Sequence, residues 1–247
     1  MGRMLVQEIA QHPGASLSGG TARPGSALIG QALGDLTVTD DADALFAASD
    51  AVIDFTRPEL LQSHLDLAIR HKKTLVIGTT GLDADLRAAI KEAAKSVPLV
   101  QAANMSVGVT LLGQLVKQLA AKLDDRTFDI EVVEMHHRHK IDAPSGTALS
   151  LAEAAAEGRG VQLADVVRNS RDGQIGARPV GEIGISTVRG GDVVGDHTVI
   201  FAADGERIEV THKASSRQIF ARGAVRAALW AAGRQPGLYS MLDVLGL

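Results

Sequence analysis

Residues 134–148 read EMHHRHKIDAPSGTA, with three histidines, an arginine and a lysine in five consecutive positions before a Pro-Ser-Gly-Thr turn. Imidazole gains and loses a proton near neutral pH, so clustered histidines suit proton transfer. Imidazole nitrogen is also a common metal ligand. The segment could therefore carry acid–base chemistry, bind a metal ion, or form a solvated basic surface.

The spacing of the histidines argues against a metal site. In an extended strand, side chains alternate between the two faces. His137 and His139 would then share a face with Met135, whereas His136 would share the other face with Arg138. A chain without cysteine would also need further ligands from Asp, Glu or the remaining histidines. We predict no metal.

The turn after the histidines indicates an anion site. Pro144, Ser145, Gly146 and Thr147 precede a predicted helix that runs to about residue 157. Backbone N–H groups at a helix N-terminus, with the helix dipole behind them, favour a carboxylate or a phosphate. A histidine and a lysine just upstream suit a dicarboxylate that must also accept a proton.

The composition limits the class of protein. A chain of 247 residues, 45% of them hydrophobic, can bury one large core or two smaller ones. A net charge of -4 argues against general affinity for nucleic acid or anionic membrane. The lack of cysteine excludes disulfides and thiol nucleophiles, and neither a membrane span nor a signal peptide is visible. We expect a globular cytoplasmic protein.

The first hundred residues alternate short apolar runs with helical patterns. Strands are predicted at 51–55, 74–78 and 98–102, and helices at 58–71 and 83–95. This alternation predicts a parallel, doubly wound α/β sheet. Before it, the sequence predicts a helix from Gly2 to about Gln11 and, more weakly, a strand over 15–22.

The pattern changes after about residue 105. A helix is predicted at 107–123, a strand at 128–137, and further strands at 182–192 and 194–214, the last folded at Asp204-Gly205 as a hairpin. This half predicts a second α+β domain with a mixed, mainly antiparallel sheet. A final helix over 216–233 could return to the first domain. We predict domains of residues 1–105 with 216–247, and of 106–215.

Each strand of the first half ends in a short polar turn. The turns are FTRP at 55–58, GTTG at 78–81 and AANMS at 102–106. In open parallel sheets, ligands bind beyond the carboxyl ends of the strands. Small residues there let a planar ring approach the backbone. Ordinary strand-to-helix turns are the alternative interpretation.

Taken together, these motifs resemble the dihydrodipicolinate reductase family. EMHHRHK followed by DAPSGTA, with VIDFTRPE, VIGTTG and AANMSVGV upstream and HKASSR downstream, carries the resemblance, which extends to the C-terminal LWAAGRQPGLYSMLDVLGL. It implies a Rossmann-like first domain and reduction of 4-hydroxy-tetrahydrodipicolinate to tetrahydrodipicolinate by NADH or NADPH, on the route to diaminopimelate and lysine. It also implies a homotetramer assembled through the sheet of the second domain.

The resemblance also implies roles for individual residues. It implies that His136 is the general acid or base and Lys140 a second proton donor, and that His137, Gly146 and Thr147 contact the substrate. The residues implied to hold the nicotinamide end of the cofactor are Gly78, Thr79, Thr80, Ala102, Ala103, Asn104 and Met105.

Two departures from the family pattern matter. Ala22 and Arg23 stand where the family commonly has an acidic residue followed by arginine. Since arginine can accommodate a 2′-phosphate, we expect a preference for NADPH, with Arg23 as a cofactor-binding residue. Met1-Gly2 also resembles the end of the family's first glycine-rich turn. We therefore expect the first strand to be missing, through a start assigned at an internal methionine, and cofactor binding to be weak.

Other functions stay open at this point. The nearest is another NAD(P)-dependent reductase of a small dicarboxylate, or a truncated form with impaired cofactor binding. A regulator that binds the cofactor without catalysis, or a metal-dependent hydrolase, belongs to a different class. A test for NAD(P)H oxidation, combined with metal analysis, distinguishes them.

Overall fold

The computed structural model describes residues 1–247. The chain forms two compact units, Met1–Val107 with Gln218–Leu247 and Gly108–Arg217. Two hydrophobic clusters lie in the first unit and one lies in the second. None of the helices combines the length and the apolar composition that a membrane-spanning helix requires.

The elements follow one another in this order. They are α1 (Gly2–Gln11), β1 (Ala32–Leu33), β2 (Leu36–Thr37), α2 (Ala42–Ala48), β3 (Ala51–Asp54), α3 (Pro58–His71), β4 (Thr74–Ile77), α4 (Ala84–Ala93), β5 (Pro98–Gln101), α5 (Val107–Lys122), β6 (Asp129–His136), α6 (Gly146–Arg159), α7 (Leu163–Val166), β7 (Val167–Asn169), β8 (Ile183–Arg189), β9 (Gly195–Ala203), β10 (Glu206–Ala214), α8 (Gln218–Ala231), β11 (Gly237–Tyr239) and α9 (Met241–Leu245).

A parallel sheet in the order β11-β5-β4-β3 forms the centre of the first unit. All four residues of β4 are buried, as expected of a strand covered on both faces. Leu75 and Ile77 pack in one cluster with residues of α3 and α4, whereas Val76 packs in the other with residues of α8 and α9. The predicted doubly wound α/β architecture is confirmed.

The predicted strand over residues 15–22 is wrong. The segment forms only an isolated parallel bridge between Thr21 and Thr39. A cavity of about 420 Å³ is lined by residues 16–22 together with Val52 and Ile53 of β3. The segment thus lines this cavity together with β3 and has one isolated bridge in place of a ladder.

The second unit contains a mixed sheet in the order β10-β9-β6-β8-β7. Its first two pairs are antiparallel, and its last two are parallel. The predicted hairpin is present, since Ala203 pairs with Glu206 across Asp204-Gly205, and Gly205 has a φ of +84° that favours glycine. The prediction of a mixed sheet in an α+β unit is confirmed.

The central strand β6 changes character along its length. Its burial alternates strictly, with Ile130, Val132, Glu134 and His136 buried. The first two pack in the apolar cluster beneath α5 and α6. The last two share this face, because side chains two positions apart point the same way. The carboxyl end of β6 therefore carries a buried acid and a buried imidazole.

Candidate active site

Glu134 is the centre of the polar cluster at the end of β6. Its side chain is fully buried, and Arg189 donates two parallel hydrogen bonds to it, of 2.8 and 2.9 Å. The backbone N–H of Ser145 donates at 3.0 Å and the hydroxyl of Thr187 at 3.3 Å, both to Oε1. Nδ1 of His136 lies 2.6 Å from Oε2.

These partners decide the charge of Glu134. Burial by itself would raise the pKa of the carboxyl, since it disfavours the ionised form. The hydrogen bonds from Arg189, His136 and the Ser145 N–H outweigh burial and lower the pKa of Glu134 to about 2. The group is therefore a carboxylate at neutral pH, and it can only accept hydrogen bonds.

His136 is held from two sides. Its Nδ1 faces Glu134, and strand β9 lies against the opposite edge of the ring. A Cβ added at Gly195 would lie 2.9 Å from Nε2 of His136, closer than real Cβ atoms come, so glycine is required there. About a tenth of the His136 side chain is exposed. The ring thus has one fixed orientation with a small edge at the surface.

A second buried histidine packs against His136. The ring of His197 lies edge-on to that of His136, with centroids 5.1 Å apart. Its Nε2 lies 3.2 Å from Oγ of Ser145, which already accepts a hydrogen bond from Ala148 N–H as the cap of α6. Burial, followed by the charge of His136, lowers the pKa of His197 to about 4. His197 is therefore neutral at pH 7.

Lys140 forms an ion pair with its near neighbour Asp142. The Nζ atom lies 2.7 and 2.8 Å from the two carboxylate oxygens. This hydrogen bond lowers the pKa of Asp142. More than half of the Asp142 side chain is exposed, so water or an anionic ligand can compete for the lysine. The carbonyl of Asp142 also accepts a 2.7 Å bond from Arg189, which ties this loop to the cluster.

The other predicted substrate residues lie on the same segment of the second unit. His137 is half-buried, its Nδ1 has no hydrogen-bond partner, and its ring centroid is 6.3 Å from that of His139. Burial, followed by the charge of Arg217, lowers the pKa of His137. Gly146 is exposed at the start of α6, with open space where a Cβ would lie, and Thr147 follows it.

In the first unit, a buried aspartate fixes the turns after β3 and β4. The carboxylate of Asp54 accepts bonds from the N–H and hydroxyl of Thr56, at 2.7 and 2.6 Å, and from the Thr79 hydroxyl at 3.3 Å. Nδ1 of His64 lies 2.8 Å away. Burial raises the pKa of Asp54, but the bonds to His64 and Thr56 outweigh burial and lower it overall.

Gly78 is required by close packing. A Cβ at this position would lie 2.5 Å from the ring of Phe55. The turn after β5 is also ordered, since the Asn104 side chain accepts a hydrogen bond from Ser106 N–H at 2.8 Å. Met105 is a core residue, with 1% of its surface exposed and its carbonyl against Gly223 of α8.

The remaining predicted cofactor residues are small or exposed. Thr80 and Ala103 are exposed and Ala102 is half-buried. Arg23 is exposed and begins a turn in which Ser26 N–H donates to its carbonyl at 3.0 Å.

These features define a class of protein. A doubly wound parallel sheet with small-residue turns at its carboxyl edge, plus a separate sheet carrying an acid–base cluster, is the architecture of two-domain NAD(P)-dependent oxidoreductases. Family models for the N-terminus and the C-terminus of dihydrodipicolinate reductase match residues 1–105 and 108–245. The chain belongs to the dihydrodipicolinate reductase family, whose members use NADH or NADPH.

Similar proteins agree with this assignment. A 4-hydroxy-tetrahydrodipicolinate reductase of Ruegeria pomeroyi is 53% identical over 256 residues, covering 100% of this chain and 94% of that protein. One from Rhizobium rhizogenes is 50% identical over 255 residues, covering 100% and 93%. The predictions of family and of reductase activity are confirmed.

A solved structure shares the fold. A dipicolinate-bound dihydrodipicolinate reductase from Paenisporosarcina sp. TG-14 matches with a TM-score of 0.78 at 21% identity, covering 98% of this chain and 94% of that one. A probable dehydrogenase from Thermotoga maritima matches with a TM-score of 0.62 at 12% identity, covering 98% and 89%. At these identities the matches concern the fold alone.

Sequence reasoning missed several members of the cluster. Glu134 could have been found, because it lies two positions before His136 on the same strand and must share its face. Arg189 and His197 lie in runs that were interpreted only as strands. Ser145 was assigned to the anion-binding turn, and its bonds to the cluster were not expected.

Proposed function

We propose that this chain reduces 4-hydroxy-tetrahydrodipicolinate, or the dehydrated species formed from it, to tetrahydrodipicolinate with NADH or NADPH. This reaction lies on the route to diaminopimelate and lysine. The observation that supports the proposal best is the buried His136–Glu134 pair, which adjoins Ser145 at the N-terminus of α6. His136, the proposed proton donor, and Ser145, at the proposed anion site, both form hydrogen bonds to the carboxylate of Glu134.

The residues of the first unit fit a nicotinamide cofactor. Its three turns follow the parallel strands β3, β4 and β5, where bulky side chains are absent at Gly78, Ala102 and Ala103. We assign the nicotinamide end to residues 78–80 and 102–105, and thereby dinucleotide binding to residues 1–105 with 216–247. The cofactor supplies the hydride, and the protein provides orientation and protons.

The second unit supplies substrate contacts and protons. His136 donates the proton that balances the hydride, and the carboxylate of Glu134 bonds to its Nδ1 and so orients the ring. Lys140 is the second proton donor: it would protonate the hydroxyl group that leaves as water, while the adjacent carbon loses a proton to solvent. It also exchanges the exposed carboxylate of Asp142 for a carboxylate of the substrate. His137, Gly146 and Thr147 hold the other substrate carboxylate at the start of α6.

A coupled assay tests this function. Synthase-generated substrate is mixed with the protein, and NADH or NADPH absorbance is followed over time. We expect substrate-dependent oxidation of the cofactor. The alternative, a reductase of another small dicarboxylate, predicts no oxidation with this substrate and turnover with a different unsaturated dicarboxylate.

Thr147→Val is expected to raise the KM for the dicarboxylate by about 10- to 100-fold. The change removes one hydroxyl donor, and a hydrogen bond to a charged group is worth about 1.5 to 3 kcal/mol. Thr147→Ser keeps the hydroxyl and is the matched control, with KM close to that of the unmodified protein. An unchanged KM in the valine variant would place the carboxylate elsewhere.

We expect the protein to prefer NADPH, because Arg23 can pair with a 2′-phosphate and Ala22 offers no carboxylate to a free 2′-hydroxyl. The ratio of kcat/KM for the two cofactors, measured again in Arg23→Ala, tests this. Arg126→Ala, which removes an exposed arginine from the second unit, is the control. A preference for NADH that Arg23→Ala leaves unchanged contradicts the assignment.

We also propose a cytoplasmic homotetramer assembled through the sheet of the second unit. Large apolar side chains remain exposed in this unit, among them Val188 on β8 and Val180. Apolar side chains such as these would be buried if a second copy covered this surface. Sedimentation velocity gives the mass of the assembly, and a monomer at micromolar concentration contradicts this proposal.

A further inference from the structure

We infer that Glu134 is a positioning residue, which fixes His136 in the tautomer with hydrogen on Nδ1, while Arg189 holds Glu134 in place. The inference rests on the proposed role of His136 as the proton donor. The carboxylate of Glu134 and the guanidinium of Arg189 would thus act through His136 and would not themselves touch the reacting atoms.

The tautomer follows from the chemistry of the two partners. Nδ1 of His136 lies 2.6 Å from Oε2 of Glu134. A carboxylate only accepts hydrogen bonds, so Nδ1 must carry the hydrogen and donate it. Nε2 is then the ring atom that gives or takes a proton, and it lies on the side of Gly195. A histidine free to rotate would populate both tautomers and present either nitrogen.

Glu134 cannot turn away from His136. Arg189 engages both of its oxygens, and Ser145 N–H adds a third bond from the start of α6. Arg189 is itself fixed by the carbonyls of Val188, at 2.8 Å, and Asp142, at 2.7 Å. Hydrogen bonds from Arg189 of β8 and from Ser145 at the start of α6 therefore fix the carboxylate, and its Oε2 faces the imidazole of His136.

Other charged groups lie around His136, yet none replaces Glu134. His197 packs edge-on from β9 and is neutral at pH 7, because burial lowers its pKa to about 4. Arg189 bonds to Glu134, whereas Lys140 and Asp142 pair with each other in the loop after β6. Glu134 is the group that bonds to a ring nitrogen of His136.

A second carboxylate on β6 offers a comparison. Glu131 is bound by Arg171 and Arg178, in the same way that Glu134 is bound by Arg189. It has the opposite parity on the strand, so it lies on the other face of the sheet, away from His136. A role limited to holding the sheet together predicts similar consequences for losing either glutamate.

Glutamine at position 134 should favour the opposite tautomer of His136, with hydrogen on Nε2. Three donors meet at Oε1, from Arg189, Ser145 and Thr187, so the single amide oxygen of glutamine will occupy that side. The amide NH₂ then faces Nδ1 of His136 and donates to it, and Nη1 of Arg189, which bonds to Oε2 in the unmodified protein, loses that acceptor. This arrangement requires an Nδ1 without hydrogen and therefore disfavours the Nδ1–H tautomer.

The experiment compares Glu134→Gln with Glu131→Gln as the matched control. We expect kcat of Glu134→Gln to fall by about 10- to 1000-fold with little change in KM, since the wrong tautomer removes general-acid catalysis. The control should keep the original kcat and KM.

Nitrogen NMR of the His136 ring gives a readout independent of turnover. Its signals are assigned by their absence in His136→Gln. We expect hydrogen on Nδ1 in the unmodified protein and on Nε2 in Glu134→Gln. If that variant does not fold, Glu134→Gln with Arg189→Met removes both charges together and should show the same change of tautomer.

Two results separate the possible failures. A wild-type rate in His136→Gln overturns the proposed role of His136, whatever happens at position 134. Loss of activity in His136→Gln, together with an unchanged tautomer and an unchanged kcat in the Glu134 variants, overturns the positioning role alone.

Discussion

Replacing His136 with glutamine, or Lys140 with alanine, should lower kcat by about 10² to 10⁴-fold, the usual cost of losing a positioned acid or base. His136 is held in one orientation by Glu134 and by the close approach of β9 at Gly195. Glutamine can keep part of the hydrogen bonding but cannot transfer a proton from Nε2. Lys140 has an exchangeable partner in Asp142, so alanine removes a donor that the substrate can recruit.

The effect should be confined to chemistry. We expect the affinity for NADPH, measured by fluorescence titration, to change by less than about twofold in both variants, because the turns assigned to the cofactor belong to the first unit. His139→Gln is the matched control, since His139 is an exposed histidine of the same segment. Unmodified kcat in both His136→Gln and Lys140→Ala would refute the assignment of these residues.

Local sequence signals located most of the regular elements. Helix α3 was predicted at its observed bounds, because Pro58 favours the first helical turn and the apolar residues recur with helical spacing. The hairpin at Asp204-Gly205 was found for a similar reason, since two adjacent residues, Asp and Gly, are a preferred hairpin turn. In both cases the interactions that decide the structure lie within a few residues of one another.

Elements that depend on distant partners were missed. Strand β11 has three residues, and its pairing with β5 depends on the path of the preceding helix α8. The segment at 15–22, ASLSGGTA, is a weak strand candidate and forms only the single bridge to Thr39. The sequence of a segment can suggest a strand, but a strand forms only where a neighbouring backbone lies at hydrogen-bonding distance.

The same distinction applies to the site. His136 and Lys140 lie in one contiguous segment, which is why sequence could identify them by motif. The register of the sheet brings Arg189 opposite His136 and His197 opposite Glu134. This register depends on strands more than fifty residues away, and alternation within β6 alone cannot supply it.

We expect the protein to lose stability as the pH falls from about 6.5 to about 4, and we expect His197→Gln to reduce that loss. Burial lowers the pKa of His197 from its ordinary value of 6.5 to about 4 in the folded protein. Between these two pH values, His197 is protonated in the unfolded chain and neutral in the folded protein. Protonation therefore favours unfolding, and the contribution of His197 is complete above pH 6.5 and declines as the pH falls.

The size of this effect makes it measurable. A shift from 6.5 to about 4 corresponds to about 3 kcal/mol in the free energy of unfolding, at about 1.4 kcal/mol for each unit of pKa. Urea unfolding followed by circular dichroism at a series of pH values gives the slope. His139→Gln, at an exposed histidine, is the control and should keep the slope of the unmodified protein.

Glu134 provides an internal check, because it acts in a lower interval of pH. Its pKa falls from 4.5 to about 2 on folding, so its carboxylate stabilises the folded state above pH 4.5 and loses this effect as the pH falls towards 2. His197→Gln should therefore flatten the upper interval and leave the lower one steep. If the upper slope survives in His197→Gln, the buried imidazole is not what makes the second unit sensitive to mild acid. A histidine such as His212, whose pKa burial also lowers, would then be the next to replace.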